Sequence, residues 1–267
     1  MKNYLIKGLH RIVDPNWWPG NDRSKEGDLY DCYSKMAVLS EASFLHNLQG
    51  DWTLINLVSE AKDIYQMHRQ QFIGIWDIWN SEPCNILYCG SDTQMLKPTE
   101  VFGKYKHFVM WGHTDPQVLE DPPIPHFMNC DIRYYPAEMN REIFETSLNK
   151  FKTSVDYWNG DQIEYNNMMW AQGVPPEEMV DHHMAYQGPW MPGETEENKA
   201  FADLWNSRFH GSDNSHTLET ANIVHWHGSR GAADKLLLME SIHKQAGIPD
   251  TNDRNIEIKT IDVSHIP

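Results

Sequence analysis

Positive charge is scarce in this chain. Its 267 residues carry 22 Lys and Arg against 38 Asp and Glu, a formal net charge of −16 with His neutral. A protein held to nucleic acid by counterion release needs a basic face. The acidic surplus here runs along the whole length, so no nucleic-acid partner is expected. Cysteine is scarce too: Cys32, Cys84, Cys89 and Cys130 show no C-x-x-C spacing and are too few for a disulfide scaffold in a chain this long. Free buried thiols in a reducing compartment are the expectation. No run approaches the roughly 18 apolar residues of a membrane span. The opening MKNYLIKGL carries Lys2 and Lys7 without the continuous apolar stretch of a signal peptide. Together these absences predict a cytoplasmic protein with no transmembrane segment.

What is present is enough for one sizeable core. Hydrophobic residues make up 40% of the chain, and 12% are aromatic, with 11 Trp and 11 Tyr. Such rings fill cores, and any surplus suits the rims of clefts that hold sugars or bases. Strand-like and helix-like segments alternate, which predicts an α/β fold. Short apolar pieces lie within 2–13, then an aromatic loop over 14–27 with Trp17-Trp18-Pro19-Gly20. Helical spacing follows over 30–48, along Met36, Leu39, Ala42 or Ser43 and His46. Residues 52–58 read as a buried strand and 59–79 as a helix opened by Ser59-Glu60. NILYC, 85–89, is a short strand; 108–111 and 126–135 are further candidates, the latter breaking around Asn129. Helices are expected over 137–157, 160–171, 196–209 and 232–246, a loop-rich stretch over 172–197, and a strand over 222–227. The alternating IEIKTIDV near the end reads as an edge strand or arm. The expected organisation is one catalytic domain over 1–246 and a C-terminal arm over 247–267.

Three clusters could carry chemistry. The first is Gly90-Ser91-Asp92-Thr93 at the end of the NILYC strand. Open α/β sheets bind ligands outside the carboxyl ends of their strands. Small neighbours there leave the Asp92 carboxylate able to reach a divalent cation, although Asp is also an ordinary turn former. The second is His225-Trp226-His227-Gly228-Ser229-Arg230-Gly231. Residues two apart on a strand share a face, which would pair His225 with His227. Glycines permit close backbone approach, and Arg is a natural phosphate partner. A metal and diphosphate site and a surface loop with solvated histidines are both open on these residues. The third is Asp161-Gln162 with Asn166 and Asn167, either a helix cap or a pair facing sugar hydroxyls.

In their order along the chain these pieces resemble the GT-A glycosyltransferases, in particular the retaining family of glycogenin and the lipopolysaccharide galactosyltransferases. NILYCGSDTQML is similar to the strand and D-x-D motif of that family, with Asp92 and Thr93 at the second acid and its follower. Phe127-Met128-Asn129-Cys130-Asp131 resembles its N-[SA]-G strand, Asp161-Gln162 with Asn166 its D-Q-x-x-x-N segment, and His225, Gly228 and Arg230 its H-x-x-G-x-x-K ending. The helix from Tyr33 to Leu39 resembles the family's early helix beneath the nucleotide. Gly90 stands where the first acid would be, Asp131 where the family has Gly, and Arg230 one position before its Lys.

The resemblance implies a GT-A-like, Rossmann-related mixed sheet with an irregular C-terminal region. It also implies a hexosyltransferase that moves a sugar from a nucleotide diphosphate donor, a UDP-sugar by preference, to a carbohydrate or protein acceptor. Mn²⁺ or Mg²⁺ would be the cofactor, held by Asp92 and His225, and would neutralise the leaving diphosphate. Tyr33, Ser91, Thr93, Asn129, Gly228 and Arg230 would bind the donor, and Asp131, Asp161 and Gln162 would be catalytic. Two other readings fit the residues: a metal-dependent hydrolase using His225 and His227 with Asp92 or His182-His183, and a nucleotide-sugar binding protein that no longer turns over, favoured by Gly90.

Overall fold

The structure, a computed structural model, describes residues 1–13, 29–111, 130–153, 160–174, 185–187, 221–226, 232–249 and 252–267. The aromatic loop at 17–20, the helix expected over 196–209, His182-His183, Asn129, His227, Gly228 and Arg230 lie outside these residues.

The fold is mixed α/β. Its main sheet has six strands in the order β5 (Val109–Met110), β6 (Ile132–Tyr135), β3 (Cys84–Cys89), β1 (Lys2–Ile12), β2 (Thr53–Ala61), β9 (Ile258–Asp262). The four strands from β3 to β9 run parallel, and β6 and β5 pair antiparallel. Strand β3 is buried at every position and is apolar but for Asn85, in keeping with a central strand covered on both faces. A smaller sheet, within the described residues, joins β4 (Thr93–Met95), β8 (Ile223–His225) and β7 (Ala185–Gln187).

Helix α1 (Leu29–Asn47) connects β1 to β2, and α2 (Ile64–Ser81) connects β2 back past β1 to β3. The two crossovers run in opposite directions, so right-handed connections place α1 and α2 on opposite faces. The strand order reverses at β1, and a crevice opens at the carboxyl ends of β1 and β3. Helices α3 (Arg141–Thr153) and α4 (Gly160–Ala171) extend the α2 layer, while α5 (Ala232–Gln245) packs on α1.

Several boundaries differ from the sequence reading, each for a pairing reason. Residues 2–12 form one continuous strand rather than short pieces, because Tyr4 through Ile12 all find partners on β2. Ser59-Glu60 belongs to β2, not to the following helix: pairing continues to Ala61 opposite Ile12. The cap of α2 is instead Asp63, whose Oδ1 accepts from the Gln66 amide at 2.8 Å. Helix α3 starts at Arg141 rather than Ala137, with Asn140 Oδ1 accepting from the Glu142 amide at 3.0 Å. On α1 the buried side runs Met36, Ser40, Ser43 and Asn47, and His46 is exposed. The alternating segment near the C-terminus, read as an edge strand or arm, does supply an edge strand: β9 pairs with β2 at that side of the main sheet.

The α2 side of the core is aromatic. Phe72 is fully buried, stacked 4.0 Å from Phe151 and edge-on to Phe144 at 5.3 Å, with Tyr165 at 5.6 Å. These contacts join α2, α3 and α4 into one layer. Replacing a buried Phe by Ala removes its transfer free energy and leaves a cavity, so Phe72→Ala is expected to cost about 3–5 kcal/mol. Urea unfolding measures it, and a loss below about 1 kcal/mol would show that the layer closes over the gap.

Candidate functional site

Three distant segments converge beyond the carboxyl end of β3 through their backbones. Cys89 pairs with Ile132 on β6, and the Gly90 amide donates to the Asp131 carbonyl at 2.9 Å, which places Asp131 beside the turn. Thr93 pairs with His225, and the Trp226 amide donates to the Asp92 carbonyl at 2.8 Å, which brings the end of β8 to the same turn. Asp92 and His225, 133 positions apart, thus face each other: His225 Nε2 lies 3.6 Å from Asp92 Oδ1 and 3.0 Å from Asp131 Oδ2. Asp92 and His225 are buried, whereas the Asp131 side chain is 38% exposed and forms the open rim of the cluster.

A fourth member comes from α5. Lys235, in its first turn, places Nζ 2.7 Å from Asp92 Oδ2, with side chains 13% and 11% exposed, and lies 5.8 Å from the Tyr33 ring centroid. Sequence reading missed Lys235, since one Lys in an ordinary helix carries no signal of a partner 143 positions away.

It also missed Lys7, although a Lys within the apolar run Leu5-Ile6-Lys7 of a central strand is a signal. Lys7 Nζ donates to the Gly90 carbonyl at 2.9 Å, to Thr93 Oγ1 at 3.1 Å and to Ser40 Oγ. It clamps the turn from below. Ser91 and Thr93, expected to touch a donor, have their hydroxyls turned inward, to the Gly8 carbonyl at 2.6 Å and the Gly90 carbonyl at 2.7 Å. They shape the turn that presents Asp92.

Asp161 sits in the first turn of α4, buried, with Oδ1 3.5 Å from His68 Nδ1 and Oδ2 3.5 Å from Cys130 Sγ. Burial and the Asp161 and Asp131 carboxylates push the Cys130 thiol well up, so it stays protonated and donates. Asp161 therefore reaches Asp131 through the neighbouring Cys130. Gln162 is half-buried one residue on, and its carbonyl accepts from Asn166 Nδ2 at 2.8 Å.

The charges of the cluster are coupled. Burial pushes the Asp92 carboxyl up, but Lys235 and His225 outweigh it and hold it far below the usual carboxylate range. Asp131 is likewise lowered, burial being overcome chiefly by His225. Burial alone would lower His225, yet Asp131 and Asp92 raise it to about 9. Lys7, with no carboxylate on its nitrogen, is lowered by burial to about 8.

These donors are poorly placed for the divalent metal that the resemblance implies. Gly90 offers no ligand, and a Cβ there would stand 3.3 Å from Asp92 Oδ1 and 3.4 Å from Asp131 Oδ1, so the two carboxylates flank the place of a first acid closely. Asp92 already holds an ammonium, and the His225 nitrogen facing the carboxylates donates to Asp131. Among the described residues no group of three or more His, Cys, Asp or Glu is arranged to hold a metal ion. Among the described residues the donor set does not fit a divalent cation.

No protein-family model matches the chain, and no curated protein does. Among solved structures it is similar to a glycosyltransferase involved in glycosylation of the major capsid of PBCV-1, at 12% identity and a TM-score of 0.49, covering 90% of this chain and 100% of that one. It is also similar to the glycosyltransferase GlyE of Streptococcus pneumoniae in its apo form, at 11% identity and a TM-score of 0.48, over 92% of this chain and 63% of that one. At such identity and superposition neither likeness assigns an activity. Among the described residues no helix is long and apolar enough to cross a membrane.

The elevated His225 value has a measurable consequence. A folded value of about 9 against an ordinary 6.5 means that the stabilisation is complete below pH 6.5 and is lost as the pH rises through 9. Subtracting the melting temperature of His225→Gln from that of the wild type cancels the opposite trend of Lys7. The difference should fall by several degrees across that range. A pH-independent difference would show that the imidazole carries no charge in the fold.

Proposed function

We propose that this chain is a glycosyltransferase that takes a sugar from a nucleotide diphosphate donor. The observation that supports this reading most is the convergence of Asp92, Asp131 and His225 at one strand end beside the switch point of the sheet. Asp131 reaches that point at the rim, where a ligand in the crevice would meet it. The order of sequence motifs that resembles the GT-A retaining family runs through these same residues.

In such a reaction the bond between the anomeric carbon and the diphosphate oxygen breaks with its electron pair leaving on the diphosphate. An acceptor hydroxyl oxygen bonds to the carbon and gives up its proton to the departing diphosphate. This chain's residues would divide that work. Cations around Asp92 would meet the diphosphate charge. Asp131, half-open on the rim and held by His225, would accept hydrogen bonds from sugar hydroxyls and stabilise positive charge developing on the ring. Asp161, behind it through Cys130, would act as a positioning residue, and Tyr33 would lie below the nucleotide. A UDP-sugar is the preferred donor on the resemblance, and the acceptor is a carbohydrate or a protein.

The test is incubation with a panel of nucleotide sugars, watching for nucleoside diphosphate. Release from at least one donor is expected, and release from none would leave a binding protein that does not turn over. Asp131→Asn is the accompanying variant. The amide is isosteric but lacks the charge, so turnover should fall about 100-fold or more at a temperature where the variant is still folded, although loss of the ion pair with His225 lowers its melting temperature. Near-normal turnover would remove Asp131 from the chemistry.

A further inference from the structure

The carboxylates of this site are already matched by cations of the chain itself. Lys235 Nζ lies 2.7 Å from Asp92 Oδ2, in a pair largely shielded from water. A charge pair in that setting is not readily split, because the partner left behind would be an uncompensated ion in low dielectric. His225 stands between Asp92 and Asp131 at 3.6 and 3.0 Å. No side chain at position 90 adds a third acid, and a Cβ there would already touch both carboxylates, 3.3 Å from Asp92 Oδ1 and 3.4 Å from Asp131 Oδ1. The ammonium thus stands where a metal on Asp92 would stand.

We propose that Lys235 is the cation of the donor site and that a nucleoside diphosphate binds there without a divalent metal. An ammonium has three donors. One satisfies Asp92, and the others remain for phosphate oxygens. Asp92 then has a different task from metal ligation: it fixes the direction of Lys235, which leaves α5 close to the Tyr33 ring on α1. The proposal rests on the donor reading above and specifies how the diphosphate is held.

Two measurements separate this proposal from that reading. Calorimetry with UDP in EDTA and again in Mn²⁺ should give the same affinity, and the protein alone should leave the electron paramagnetic resonance signal of aqueous Mn²⁺ undiminished. Lys235→Met, close in volume, should weaken UDP binding in EDTA about ten- to a hundredfold, the worth of a charged hydrogen bond. UDP binding only with Mn²⁺, depletion of the Mn²⁺ signal by the wild type, or unchanged affinity in Lys235→Met each overturns the metal-free site while leaving the donor reading standing. No binding of UDP or of any other nucleoside diphosphate under either condition overturns the donor reading itself. The wild-type measurements decide the matter even if Lys235→Met fails to fold.

Discussion

Burial of the Asp92 carboxylate is the constraint on which the site is organised. A lone carboxylate out of water is costly and must be compensated by opposite charge and hydrogen bonds. Lys235 and His225 supply the charge, and they come from α5 and β8, which follow Asp92 by more than a hundred positions. Their approach is secured independently of charge. Beta pairing joins Thr93 to His225, and an apolar cluster of Met36, Val224, Trp226, Ala232 and Met239 fastens β8 and α5 to α1. Packing thus brings the partners near, and electrostatics then selects one arrangement of the four side chains.

Behind the cluster lie two buried cations whose immediate partners are not carboxylates. Lys7 is ringed by hydroxyls and a carbonyl and sits 4.5 Å from the Phe44 ring centroid. Arg133, two residues after Asp131, lies between the rings of Tyr88 and Tyr165 at 4.0 and 3.9 Å and donates to Gln71 Oε1 at 2.8 Å. Aromatic faces and neutral oxygens can carry a cation, but they do not cancel its field. That field reaches the carboxylates, since Lys7 interacts with Asp92, and Arg133 helps lower Asp131. Gly8 reflects the same crowding: a Cβ there would stand 2.9 Å from both His10 Nε2 and Tyr88 Oη.

The sequence made much of this legible where chemistry coincided with local pattern. β3 was readable because a short, mostly apolar strand ended in Gly-Ser-Asp, α4 because Asp161-Gln162 stood at the start of a helix over 160–171, and His225 because it lay in a strand-like run leading to a glycine. Boundaries failed where a neighbour decided them, as when β1 carried β2 through Ser59-Glu60. Lys235 was invisible because its significance lies in a tertiary partner. The roles of Ser91 and Thr93 were invisible because a hydroxyl beside a ligand and a hydroxyl tying a turn are the same letter.

The global and local charges point in opposite directions, and the difference has a functional logic. A net charge of −16 repels a nucleotide diphosphate at long range, but salt screens that repulsion beyond about 8–10 Å. What an anion meets at close range is the local field, and at the end of β3 the chain has gathered Lys7, Arg133, Lys235 and a proton on His225 around two carboxylates. An exposed Arg or Lys surface would attract anions indiscriminately. Cations placed behind and between carboxylates expose little charge to solvent, so a ligand gains from them only by entering the crevice and matching their fixed directions. For the donor proposed above, selectivity would then come from geometry, which backbone pairing at Gly90 and Thr93 holds in place.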